Sequence, residues 1–149
     1  MAAGLRTLLL VSVAAAATRL LQVGAQDDSP MPGGFMPGSS RPVDVNAPEV
    51  QKAARAGVDS VNRASNQLFL NKIRRVLKAK EQVVQGMMYR LTVEIGATTC
   101  KKRASSVNSD ECDFHMTPPH AQTQICKFKV WDRPWLGPME VVKQNCTVQ

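Results

Sequence analysis

The stretch Gln82-Val83-Val84-Gln85-Gly86-Met87-Met88-Tyr89-Arg90-Leu91-Thr92-Val93-Glu94-Ile95 decides the fold. Tyr89, Leu91, Val93 and Ile95 alternate with Arg90, Thr92 and Glu94, and a period of two sends one set to each face of a strand. That is the pattern of a half-buried sheet strand. Upstream, Ile73 to Gln82 carries β-branched residues and many cations in mixed alternation, and the tight Gln85-Gly86 step joins it to the clear strand as a hairpin. Downstream, Cys126, Phe128 and Val130 alternate with Lys127 and Lys129. Pro134 ends that run because it has no amide to give a ladder, and Met139 to Cys146 provides the return strand.

One helix precedes the two hairpins. Asn46 is placed to cap it, Ala47 and Pro48 suit a first turn where an amide is dispensable, and Val50, Ala53, Ala54, Gly57, Val58 and Val61 recur at helical spacing. Their face is small-sided, which lets the helix axis approach a concave sheet closely. Gln51, Lys52, Arg55, Asp59 and Arg63 are expected on the wet side. The fold class is therefore α+β.

Outward from this core, Met1 to Ala17 places Arg6 ahead of Leu8, Leu9, Leu10, Val11, Val13 and a run of alanines, the pattern of a secretory leader. Its apolar core is shorter than the ~20 residues a bilayer helix needs. Val23-Gly24-Ala25 marks the expected cut, with Ala15 to Ala17 as a competing site. Residues 26–42 hold Pro30, Pro32, Gly33, Gly34, Pro37, Gly38, Ser39, Ser40 and Pro42 and are expected to form a flexible arm. The folded domain then spans 43–149. Cleavage after Ala25 removes Arg6 and Arg19 and no acid, so 19 basic and 12 acidic residues become 17 and 12, a net +5. A mature chain of this size buries about 65–70% of its unfolded surface and gains from covalent help.

Four cysteines, Cys100, Cys112, Cys126 and Cys146, all follow the leader, and an even count in an oxidising compartment favours two bridges over free thiols. Pairing neighbours would close the excursion after the clear strand and tie the last two strands together, each closure contributing roughly 3 kcal/mol. The sequence alone leaves the other two connectivities open. None of the cysteine spacings fits a structural zinc site, and His115 and His120, beside Pro118 and Pro119, lack a helix to aim them, so no metal is expected. No glycine-rich phosphate loop, serine elbow or acidic pair speaks for catalysis. The cations are scattered among acids and aromatic residues are few, so neither nucleic acid nor membrane is expected as a partner. Asn145-Cys146-Thr147 is a glycosylation acceptor motif whose middle residue is an expected half-cystine.

From Gly38 to Cys146 the chain resembles the type 2 cystatins, secreted inhibitors of papain-like cysteine proteases. Gln82-Val83-Val84-Gln85-Gly86 matches the family's Q-x-V-x-G signature, Pro134-Trp135 its second-hairpin Pro-Trp pair, and Gly38 its arm glycine. Ala64-Ser65-Asn66, Glu94-Ile95-Gly96 and Thr98-Thr99-Cys100 fall in family order, as do the four cysteines. The resemblance implies the pairing Cys100–Cys112 and Cys126–Cys146. It also implies a cystatin-like fold, a five-stranded antiparallel sheet wrapped around one long helix. The arm and both hairpins would form one wedge. The implied activity is secreted, reversible, tight-binding inhibition of proteases such as cathepsins, with no catalysis and no cofactor of its own. Gly38, Gln82, Val83, Val84, Gln85, Gly86, Pro134 and Trp135 are the protease-binding residues it implies. The protein would be a monomer whose scaffold permits a domain-swapped dimer.

The chemistry agrees with that role. A groove that cleaves extended peptides has apolar walls, so an inhibitor needs a rigid apolar edge that presents no scissile bond. Gly86 takes positive φ without a Cβ penalty and lets backbone approach closely. Trp135, burying 150–250 Å2, would contribute ~4–6 kcal/mol before association costs; its alternative is core packing. Trp131 reads equally as core or edge, and Val83 and Val84 as contact or anchor. Phe35-Met36-Pro37 departs from the large aliphatic residues usual before the arm glycine, which puts proline opposite the main specificity pocket. Arg133 replaces a commonly apolar residue. Asn66 matches the asparagine through which some members inhibit legumain, with Gln67 where many of those have aspartate. The rival reading is a non-inhibitory secreted cationic interaction or host-defence domain on the same scaffold, as in cathelicidin precursors.

Overall fold

The computed structural model describes residues 38–103 and 108–149. The leader and the greater part of the expected arm, Phe35, Met36 and Pro37 included, lie outside them. The described residues run β1 (Arg41–Pro42), α1 (Pro48–Ala64), β2 (Phe69–Val83), β3 (Met87–Lys101), a 3-10 turn (Ser109–Glu111), β4 (Thr123–Asp132) and β5 (Glu140–Val148). All five strands form one antiparallel sheet in the order β1-β2-β3-β4-β5. Neighbours in sequence are neighbours in space: β2–β3 and β4–β5 are hairpins, α1 links β1 to β2, and residues 102–122 link β3 to β4.

Alternation builds the inner face. Tyr89, Leu91, Val93 and Ile95 of β3 and Cys126, Phe128 and Val130 of β4 are buried, and α1 lays Val50, Ala53, Ala54, Val58 and Val61 against them. Gly57 shows why that helix face is small. A Cβ there would stand 2.7 Å from the Phe128 ring, closer than any real contact, so the helix would have to lift off the sheet.

β2 departs from simple alternation because its register with β3 slips between Phe69 and Asn71, Ile73 and Arg75, and Val76 and Lys78. The first slip leaves two extra residues on β3, while each of the other two inserts one in β2 and re-aims the side chains after it, so buried Asn71, Val76 and Ala79 lie five and three apart.

Three local expectations change. Ala47, not Asn46, is the N-cap, and no side chain caps the helix. Asn46 is engaged elsewhere, its amide donating to Asp44 Oδ1 at 2.9 Å, while Pro48 opens the helix without an amide to satisfy. Gln51 is half-buried rather than wet, its Nε2 donating to Val45 O at 2.7 Å. Arg41 and Pro42, set at the end of the expected arm, pair with Glu81 and Lys80 of β2.

The bridges join Cys100 to Cys112 and Cys126 to Cys146. The second spans directly opposed residues of β4 and β5.

Candidate functional site

β2 delivers the chain to a three-residue bend, Val84-Gln85-Gly86, closed by the Val83–Met87 pair. Gln85 (φ 40) and Gly86 (φ 106) both take positive φ, and Val84 N donates to Gly86 O at 3.0 Å. Glycine is required at 86 twice over. Positive φ disfavours a Cβ, and a Cβ there would stand 2.3 Å from Asp132 O and 3.3 Å from Trp135 Cη2. The second hairpin therefore lies directly against the first.

That second bend runs from Arg133 to Met139 between β4 and β5. Leu136 N donates to Arg133 O at 2.8 Å, which turns the chain around Pro134 and Trp135. Trp135 and Leu136 are each 65% exposed, and Val83 on the first hairpin is 55% exposed. Three large apolar side chains exposed on two abutting hairpins are a contact surface in want of a partner. Sequence reasoning named Val83 and Trp135 and missed Leu136, whose signal was its place in the same bend.

Trp131 proves to be a brace. Its indole Nε1 donates to Val84 O at 3.1 Å, tying the end of β4 to the first bend. This also apportions the two valines: Val83 faces solvent, and Val84 is half-buried with its carbonyl engaged. Arg133 stacks its guanidinium 3.7 Å from the Trp131 ring centre and pairs with Glu140, so its charge is folded back onto the hairpin.

Gln82 is a strap between the arm glycine and β3. Its Nε2 donates to Gly38 O at 2.6 Å, and its Oε1 accepts from Arg90 Nη2 at 3.2 Å. Gly38 itself is exposed with φ 82. The Arg41–Glu81 ion pair at 2.5 Å and Val43 N donating to Ala79 O at 3.2 Å hold the following residues to β2. The structure thus gathers Gly38, Gln82, Val83, Val84, Gln85, Gly86, Pro134 and Trp135 at one end of the sheet.

Asn66 is at the other end. It sits in the loop between α1 and the start of β2, whose 15 residues carry the chain roughly 45 Å before the first bend. Asn66 is exposed, and polar bonds frame its loop. Asn62 Nδ2 donates to Asn71 O at 2.9 Å and Asn62 Oδ1 accepts from Asn71 N at 2.8 Å. Gln67 Oε1 accepts from Asn71 Nδ2 at 2.8 Å. Lys102 Nζ donates to Ser65 O at 2.5 Å and to Ser65 Oγ at 2.7 Å, and burial pushes its pKa down.

Among the described residues no group of three or more His, Cys, Asp or Glu could hold a metal. His115 and His120 instead pack edge-on against Phe69, ring centres 4.3 and 5.0 Å away.

Comparison with known proteins agrees with this geometry. A family model described as Cystatin domain matches residues 38–135. Bovine cystatin-C is 39% identical over 113 residues, covering 76% of this chain and 75% of its own length. Human cystatin-F is 41% identical over 110 residues, covering 74% and 75%. Among solved structures, dimeric human cystatin F superposes with a TM-score of 0.72 at 38% identity, over 80% of this chain and 94% of that one.

Proposed function

Because the chain belongs to the cystatin family, and is thus a cysteine protease inhibitor and not an enzyme, we propose that it blocks papain-like proteases of the cathepsin type by plugging their active-site cleft. The observation that carries this reading is the cross-bracing of three segments. Gln82 ties the arm glycine to the first hairpin, Trp131 ties the first bend to β4, and Gly86 leaves room for the second bend to press Trp135 alongside. Each bond fixes one blunt apolar edge relative to the next. A rigid edge loses little entropy on docking, so more of its buried area is realised as affinity. The bends enter the cleft, and the arm passes along the substrate side from Gly38.

The titration of active papain with the disulfide-intact mature protein tests this. Stoichiometric, reversible loss of activity is expected. Absence of inhibition would favour a non-inhibitory interaction domain on this scaffold. A version starting at Ser39 should inhibit more weakly, and equal inhibition would remove the arm from the mechanism.

A second activity is favoured by the exposed Asn66 on its polar-framed loop: inhibition of legumain, an asparagine-specific protease, from the end of the sheet away from the wedge. Asn66→Lys should abolish legumain inhibition and leave papain inhibition intact. Secretion through the leader at residues 1–25 completes the reading, since both bridges need an oxidising compartment.

A further inference from the structure

On the face of the sheet turned away from α1, strand register gathers cations that are far apart in sequence. Lys80 of β2 stands opposite Arg90 of β3, Arg90 opposite Lys129 of β4, and Lys129 opposite Lys143 of β5. Four cations form one row across four strands, about 14 Å long at the usual strand spacing. Two residues along, Lys78, Thr92, Lys127 and Asn145 make a second row. Both rows line one shallow groove of about 410 Å3, and no carboxylate lines it.

Like charges directly opposite one another weaken a sheet. The acids that could relieve them are used elsewhere: Glu81 pairs with Arg41, Asp110 with Arg55, Glu94 with Arg75 and Glu140 with Arg133. Among the described residues, none of the six groove cations enters an ion pair. The fold therefore maintains a concentrated positive strip without an internal counter-charge.

We propose that this strip binds a linear sulfated polysaccharide. Such a polymer carries permanent anions at short intervals along one line, which matches a straight row of cations held on rigid strands. The groove lacks what the other polyanions use. No exposed aromatic lines it to stack a base, and no helix or protruding ribbon is offered to a nucleic-acid groove. Its apolar members, Leu91 and Phe128, are buried, which leaves nothing to enter a bilayer. The row lies three residue pairs back from the Val83–Met87 pair, so an occupied groove leaves both bends uncovered. The inference rests on the sheet alone and does not depend on protease inhibition.

The test is binding of a heparin octasaccharide by calorimetry in 0.15 M NaCl. It uses disulfide-intact protein made without glycosylation, because Asn145 lines the groove and belongs to an acceptor motif. Lys127→Gln combined with Lys129→Gln and Lys143→Gln should lower affinity at least about tenfold and flatten its salt dependence. Lys52→Gln combined with Lys101→Gln and Arg103→Gln removes the same charge from other exposed positions and should retain affinity. The groove variant should melt no lower than the parent, since it loses only repulsion; the single Lys129→Gln variant, expected to show a smaller loss, serves if it does. Failure of the parent to bind would overturn the proposal. So would equal losses in both triple variants. Tighter, groove-dependent binding of duplex DNA or phosphatidylserine vesicles would assign the strip to those ligands instead.

Discussion

The two ends of the sheet are built from opposite materials. At the hairpin end, exposed Val83, Trp135 and Leu136 stand over bends whose internal ties are few and specific. At the helix-loop end, Asn62, Gln67, Asn71, Ser65 and Lys102 knit a polar network beside the Cys100–Cys112 bridge, and charged Arg55, Asp59 and Asp110 gather nearby. One end is apolar where it meets water and is fixed from behind. The other ties most of its polar groups to one another, with Asn71 Oδ1 left over. The difference separates papain affinity from stability: substitutions at the first end should be read in papain binding, and those in the network of the second in unfolding.

Trp135→Ala tests the binding role of the hairpin end most directly. Removing an indole that would bury 150–250 Å2 costs up to ~4–6 kcal/mol of interface, so papain inhibition should weaken at least about 100-fold. The melting temperature should stay put, because the side chain packs little of the core. A fall in stability that matches the fall in affinity would mean the tryptophan serves the fold.

The opposite end gives the reciprocal result. Cys100→Ala with Cys112→Ala opens a 12-residue separation and should cost about 3 kcal/mol, seen as a drop of roughly 10 °C or more in thermal melts. Papain inhibition by the folded fraction should be unchanged, since the bends lie at the far end of β2 and β3. Loss of affinity in step with the bridge would show that the two ends are coupled through the strands.

Gly86→Ala comes next and touches both readouts. The φ of 106 and the 2.3 Å approach of Asp132 O force either strain or separation of the two bends. A cost of ~1–3 kcal/mol is expected, shared between a lower melting temperature and weaker inhibition. Trp131→Phe is smaller, about 1 kcal/mol, because it removes one indole hydrogen bond and leaves Val84 O near water. Its loss should fall mainly on papain affinity, measured as a faster dissociation rate.

Much of this was legible because a period of two is a strong signal. Tyr89 to Ile95 and Cys126 to Val130 alternate in sequence as they do in the sheet. What escaped reading depended on neighbours the sequence does not name. β1 is two residues long and one of them is proline, so only its pairing with Lys80 and Glu81 makes it a strand. The bulges in β2 blur its alternation by shifting which side chains point inward. Asn46 carries a good capping side chain, yet the Asp44 turn captures its amide and Pro48 starts the helix one residue on. At the candidate site, Gly86 and Trp135 could be named from local chemistry and family pattern. The strap of Gln82 and the brace of Trp131 are contacts across 44 and 47 residues that no local pattern announces. The cation strip was hidden for the same reason: its members come from four strands and meet only through register.

At the polar end, burial and charge oppose one another on Asp59. Partial burial pushes the Asp59 carboxyl above its ordinary 3.8; Arg63, one turn on, pulls it down, and Asp110 pushes it up again. The net direction is upward, so the folded chain favours the protonated acid even with Arg63 at hand. A group raised in this way supports the fold fully below its unfolded value and loses that support as pH rises through the folded value. At neutral pH the ionised carboxylate is therefore a small burden. Asp59→Asn, isosteric and neutral, should melt slightly higher than the parent at pH 7, and the gap should close as pH falls below 3.8, where the parent's carboxyl becomes protonated in both states. A variant that melts lower at pH 7 would mean that attraction to Arg63 outweighs both burial and Asp110. The charged cluster would then belong with the stabilising network rather than stand as a cost within it.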